Sequence, residues 1–112
     1  MFIDDLDLKI IKELYKLKKN ENINYFRMVS RIFNTLSEYE KRKKYCNVRN
    51  KMDKLVNYGI IKRIEKGKKE VIEIIFELQM QNVHFRRMKF NDKLCSAVCL
   101  KIENIWCAFQ LQ

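Results

Sequence analysis

The stretch Val48-Arg49-Asn50-Lys51-Met52-Asp53-Lys54-Leu55-Val56-Asn57-Tyr58-Gly59-Ile60-Ile61-Lys62-Arg63 decides how this chain is read. Val48, Met52 and Leu55 are spaced four and three apart, which puts them on one side of a helix. Gly59 follows at the place where a helix ends on a left-handed residue, a conformation glycine adopts without the Cβ clash. Ile60 and Ile61 then start a β-branched run with no linker between. A helix, an abrupt stop and a strand are therefore encoded in sixteen consecutive residues.

Working outward, Ser37-Glu38-Tyr39-Glu40 has the form of a capping box and predicts where this helix begins. Tyr45, Val48, Met52, Leu55 and Val56 form its inner stripe, and Lys44, Asn47, Asn50, Lys51 and Lys54 its outer stripe. About twenty residues is long for a globular helix, so a break near Lys43 is expected. On the other side, Ile60–Ile64 and Val71–Leu78 read as two strands of a hairpin, with residues 65–69 as a basic turn. Upstream, residues 6–19 read as a first helix with Ile10, Ile11, Leu14, Tyr15 and Leu17 on its apolar face and Asp5 or Asp7 as its cap. A second helix runs from after Asn24 to about Phe33, with Phe26, Val29, Ile32 and Phe33 inward. Its Arg27 and Arg31, one turn apart on another face, read as ordinary surface residues, with contact to backbone phosphates as the alternative. Residues 79–90 extend the strand or link. In residues 92–110, Leu94, Val98, Ile102, Ile105, Trp106 and Phe109 fit one helical face, and Asn91 or Asp92 supplies a cap; two strands turning at Glu103-Asn104 are the alternative.

The charge is concentrated. The 112 residues carry a formal +10, and residues 41–70, with twelve Lys/Arg against three acids, hold +9 of it. Such a patch attracts polyanions, because each phosphate it neutralises releases counterions. A solvated lysine-rich face is the plain alternative.

The segment 48–63 resembles the recognition-helix-to-wing segment of winged-helix regulators, MarR-like proteins and related archaeal and viral ones. Val48, Met52, Leu55, Gly59, Ile60, Ile61 and Arg63 fill that family's apolar, glycine and basic places. The resemblance spans about residues 6–78. It implies a winged helix-turn-helix of three helices plus a β-hairpin wing over residues 1–78; with the helical spacing of residues 92–110 the expected fold is α+β, mainly helical, and the extension 79–112, apolar on one face, is the candidate dimerisation element. It also implies sequence-specific binding of double-stranded DNA by a homodimeric transcriptional regulator. Asn47, Asn50 and Lys51 would face base edges or nearby phosphates, Arg49 would do so with the helix rotated slightly, and Lys44 and Lys54 would meet phosphates. Arg63, Lys66, Lys68 and Lys69 would lie along the wing, against backbone or minor groove. The chain departs from the family between Phe33 and Val48, where it is several residues longer than a tight turn. Lys41, Arg42 and Lys43 therefore extend the recognition helix or form a loop.

Other chemistry finds little support. Cys46, Cys95, Cys99 and Cys107 form no Cys-x-x-Cys pair, and His84 is not at zinc-ligand spacing from any of them. Free thiols packed as small hydrophobes are expected. No glycine-rich phosphate loop, paired carboxylates or nucleophile–histidine arrangement occurs, so no enzyme, cofactor or metal is expected. The acidic N-terminus and the lack of a long apolar run predict neither leader nor membrane span, hence a cytoplasmic protein. The competing function is a winged-helix module that binds protein in a transcription or replication assembly.

Overall fold

The computed structural model describes residues 2–111. Three helices come first: α1 (Asp5–Tyr15), α2 (Tyr25–Ile32) and α3 (Glu38–Asn57). Five strands follow in two antiparallel sheets. β1 (Ile61–Lys68) pairs with β2 (Val71–Leu78). β3 (Val83–Phe90), β4 (Lys93–Ile102) and β5 (Ile105–Gln110) form a meander in the order β3-β4-β5. A 3-10 turn over Met80–Asn82 joins the two sheets.

Each helix starts on a side-chain cap, because its first backbone N–H groups have no partner within the helix. At α1 the cap is Asp4, one residue before Asp5 and three before Asp7, the acids expected for that role. The Asp7 N–H donates to the Asp4 carboxylate at 3.0 Å, and the Asp7 carboxylate accepts in return from the Asp4 N–H at 2.9 Å. Asn24 accepts from the Arg27 N–H at the start of α2, and Ser37 from the Glu40 N–H at the start of α3. The helix α1 ends at Tyr15, so Lys18 and Lys19 fall in the loop that follows. The helix α3 runs unbroken through Lys43. The surplus residues between Phe33 and Val48 thus lengthen this helix at its N-terminus. It closes as its sequence demands: Gly59 has φ +77, and the Ile60 N–H reaches back to the Leu55 carbonyl at 3.0 Å.

The core is continuous from helices to C-terminal sheet. Ile10, Ile11 and Leu14 of α1, Met28 and Val29 of α2, and Val48, Met52 and Leu55 of α3 pack with Ile60, Ile61 and Phe76. Val83, Val98, Leu100 and Ile102 complete the same cluster. The Tyr15 ring stacks on Phe85 with centroids 4.0 Å apart, and the Phe76 N–H donates to the Ile23 carbonyl at 3.0 Å. These contacts tie the α1–α2 connection to the hairpin, and α1 to the meander.

The expectation of a mainly helical fold with a helical C-terminal segment is corrected. Helix and strand are nearly equal, about 38% and 36%, and residues 93–110 are the strands β4 and β5. Leu94, Val98 and Ile102 misled because a spacing of four fits a strand's period of two as well as a helix's 3.6. The turns decide it. Asn91 and Asp92 have φ of 50 and 64, and Glu103 and Asn104 have 52 and 64. Two consecutive left-handed residues make the tight hairpin turn whose twist matches antiparallel strands. The residues read as helix caps are therefore turn residues. The turn of the first hairpin also shifts. It falls at Lys69-Glu70, while Gly67 sits inside β1 opposite Ile72 with φ +131. A Cβ there would lie 1.9 Å from the Val71 carbonyl oxygen. Among the described residues no helix is long and apolar enough to cross a membrane.

Candidate nucleic-acid interface

The helix α3 carries the basic residues that the sequence singled out, and its packing sets which of them reach solvent. Val48, Met52 and Leu55 are buried against α1 and α2. Half a turn away lies the stripe Arg42, Lys43, Cys46, Arg49, Asn50, Asp53 and Asn57, all exposed. Lys44 and Asn47 are exposed on its flank. Three of the cations are held over aromatic rings: the Lys43 ammonium 4.4 Å from the Tyr39 centroid, Lys44 5.5 Å from Phe33, and the Arg49 guanidinium 5.7 Å from Tyr45. Such contacts orient a cation without neutralising it.

Lys51 and Lys54 point elsewhere. Lys51 forms an ion pair with Asp4, the α1 cap. Lys54 reaches the Asp7 carboxylate at 2.6 Å and the Phe2 carbonyl at 2.9 Å. Both ammonium groups therefore clamp the N-terminus of α1 onto α3, and both side chains are largely covered. The electrostatics of the two acids differ. Burial works to raise the Asp4 carboxyl, but the hydrogen bonds from Lys51 and the Asp7 N–H outweigh it and hold it at about 2. Asp7 is fully buried, and burial raises its carboxyl above the usual range despite Lys54. Its Oδ1 finds no partner among the described residues.

Asp53, the acid on the exposed stripe, is engaged as well. It accepts a 2.5 Å hydrogen bond from the Tyr25 hydroxyl at the start of α2. Burial, and then this bond to Asp53, push the Tyr25 phenol up to about 12. The interaction fixes the angle between α2 and α3 and draws the one carboxylate of the stripe toward a neutral donor.

The hairpin divides its cations between faces. Arg63 pairs across the ladder with buried Phe76, whose ring lies 4.8 Å from Tyr25, and its charge is felt at the Tyr25 hydroxyl. It thus belongs to the α3 side. Lys66 faces the opposite way, lining a depression with Leu17, Lys18, Asn22 and Glu77. Lys68 and Lys69 are exposed at the tip. Of the ten residues expected from the sequence, Arg49 and Asn50 lie on the exposed stripe, Lys44 and Asn47 on its flank, Arg63 on the hairpin face toward Tyr25, and Lys68 and Lys69 at the hairpin tip. Lys51 and Lys54 turn to α1, and Lys66 to the far face. Arg42, Lys43 and Cys46, outside that expected set, belong to the exposed stripe. Spacing alone contains them, since positions 42, 46, 49 and 53 lie opposite 48, 52 and 55 on a helical wheel.

Between the start of α2, with Tyr45 of α3, and the strand β2 runs a groove of about 480 Å³ lined by Tyr25, Phe26, Tyr45, Val71, Ile72 and Ile74. Phe26, Val71 and Ile72 are mostly exposed. Comparison of the chain with protein families, with curated proteins and with solved structures finds no match.

Proposed function

We propose that this protein binds double-stranded DNA as a homodimeric transcriptional regulator. The exposed stripe of α3 enters the major groove and the hairpin lies on adjacent backbone. One observation carries the reading. An apolar stripe anchors a twenty-residue helix, leaving Arg42, Lys43, Arg49 and Asn50 on its open side and Lys44 and Asn47 on the flank, with Arg63 on the hairpin alongside. A helix of that length is about 30 Å long, and the major groove admits one. Arg49 reaches guanine edges and Asn47 and Asn50 adenine edges, which are the pairings their donor and acceptor geometry allows. Lys43, Lys44 and the tip lysines Lys68 and Lys69 neutralise phosphates, which position the helix without reading sequence. The resemblance of residues 48–63 to winged-helix regulators points the same way.

The test is selection of bound duplexes from random DNA, followed by affinity measured across a salt series. A triple variant Asn47→Ala, Arg49→Ala, Asn50→Ala should lose sequence preference while keeping most non-specific affinity. Lys43→Ala and Lys44→Ala should each flatten the slope of log affinity against log salt by about 0.9. Unchanged preference and slope in these variants sink the assignment. The groove of Phe26, Tyr45, Val71 and Ile72 favours the second reading, a module that binds protein, since exposed apolar clusters mark interaction sites. That reading predicts no salt-dependent DNA affinity in the parent chain.

A further inference from the structure

The strand β5 (Ile105–Gln110) is an edge of the C-terminal sheet. The other edge, β3, carries Arg86, Arg87 and Lys89, the kind of charge that keeps edges from pairing with other chains. Ile105-Trp106-Cys107-Ala108-Phe109-Gln110 carries none, alone among the five strands. It lies within residues 104–112, the longest uncharged run of the chain. Copies with a net charge of +10 repel each other, which favours self-association through a strand that itself carries no charge. This strand supplies one, with Ile105 64% and Trp106 50% exposed.

The hydrogen-bond register fixes what the edge offers. The Leu111 N–H donates to the Ser96 carbonyl at 2.9 Å, and Ala97 pairs with Gln110. Bonded and non-bonded pairs alternate along an antiparallel ladder, so Phe109, Cys107 and Ile105 spend their backbone groups on β4. The N–H and C=O of Trp106, Ala108 and Gln110 point to the open side. We infer that two copies of the chain pair antiparallel through β5, with the dyad at Ala108. Ala108 then faces Ala108 of the second copy, and Trp106 faces Gln110, each pair exchanging two N–H···O bonds. A strand that pairs with its own copy about a two-fold axis must run antiparallel, and this is the register that uses all three open residues. Alanine at the dyad leaves room for its own image. The two meanders become one continuous sheet, and the partner is a second copy of this chain. The inference specifies the homodimer of the reading above, and its own grounds lie in the sheet alone.

The test is the mass of the full chain in solution without DNA, by light scattering after size exclusion at about 50 µM, a concentration at which interfaces of moderate affinity are occupied. The parent chain should be a dimer. Ala108→Pro deletes only an N–H that faces the open edge, so the fold survives while the central pair is lost. Ala108→Lys places like charges face to face. Both variants should be monomers with the parent's circular dichroism. If the proline variant does not fold, the lysine variant decides. Trp106 is the only tryptophan, and its emission should move to longer wavelength on dilution of the parent but not of the lysine variant. A monomeric parent, or folded variants that remain dimers, overturns the inference. A dimer without DNA affinity removes the DNA reading and leaves this one standing. A monomeric parent that binds DNA with a steep salt slope does the reverse.

Discussion

Replacing Lys54 by methionine keeps the stem of the side chain and removes its charge. Asp7 is then left as a carboxylate with 0% exposure, one oxygen already unpartnered and the other retaining only the Asp4 N–H. Breaking a buried ion pair from one side costs about 3–5 kcal/mol. The Lys54 side chain is 24% exposed, so part of its charge is hydrated and the figure falls to about 2–3 kcal/mol near pH 7. The pH dependence carries a sign. Burial raises the Asp7 carboxyl in the folded state, and losing Lys54 raises it further. A carboxyl whose folded value is raised contributes stability below its unfolded value and loses it as pH rises through the folded one. The penalty of Lys54→Met must therefore shrink toward acid pH, where neutral Asp7 needs no cation. Urea unfolding near pH 7 and near pH 4 measures both values, and Asp7→Asn in the same chain should recover most of the loss. A cost below about 0.5 kcal/mol near pH 7, or an equal cost at both pH values, refutes the reasoning. The same variant separates clamp from DNA contact: its salt slope on DNA should equal the parent's, whereas a lysine that touched phosphate would lower it by about 0.9.

Three further outcomes follow from the geometry. Asp4→Asn keeps the α1 cap but loses the charge facing Lys51; it should cost about 1 kcal/mol near pH 7 and little near pH 2, because Asp4 is held at about 2 and its contribution is lost as pH falls from 3.8 toward that value. Equal unfolding midpoints of variant and parent at neutral pH would count against the pair. Gly67→Ala forces a Cβ to 1.9 Å from the Val71 carbonyl at φ +131 and should lower the melting temperature by several degrees, about 1–3 kcal/mol; an unchanged melting curve would contradict the strand conformation. Cys46 is the exposed one of the four thiols and lies among Arg42, Lys43, Arg49 and Asn50, so bound duplex should slow its alkylation at least several-fold while the others are unaffected; equal rates with and without DNA would remove α3 from the groove.

The legible parts of this fold are those in which a local signal has one physical solution. Val48, Met52 and Leu55 followed by Gly59 admit a helix that stops, and Asn24 and Ser37 cap as short polar side chains do before a helix. Two kinds of signal were ambiguous. Leu94, Val98 and Ile102 satisfy both periods, so only the turn chemistry of Asn91-Asp92 and Glu103-Asn104 decides for strands, and Asx residues serve as caps and as left-handed turn residues alike. The basic residues of α3 were harder still, because charge says that a side chain seeks a partner and not which one. Lys51 and Lys54 find theirs in Asp4 and Asp7, forty-seven residues earlier in the chain. That pairing follows from the packing of α1 on α3, which no window of sequence contains. It also rotates the open face of the helix toward Arg42, Cys46, Arg49 and Asn50. A protein that spends two lysines on holding its first helix in place can present the rest of α3 as a rigid surface, and rigidity is what base readout by side chains on one helix face requires.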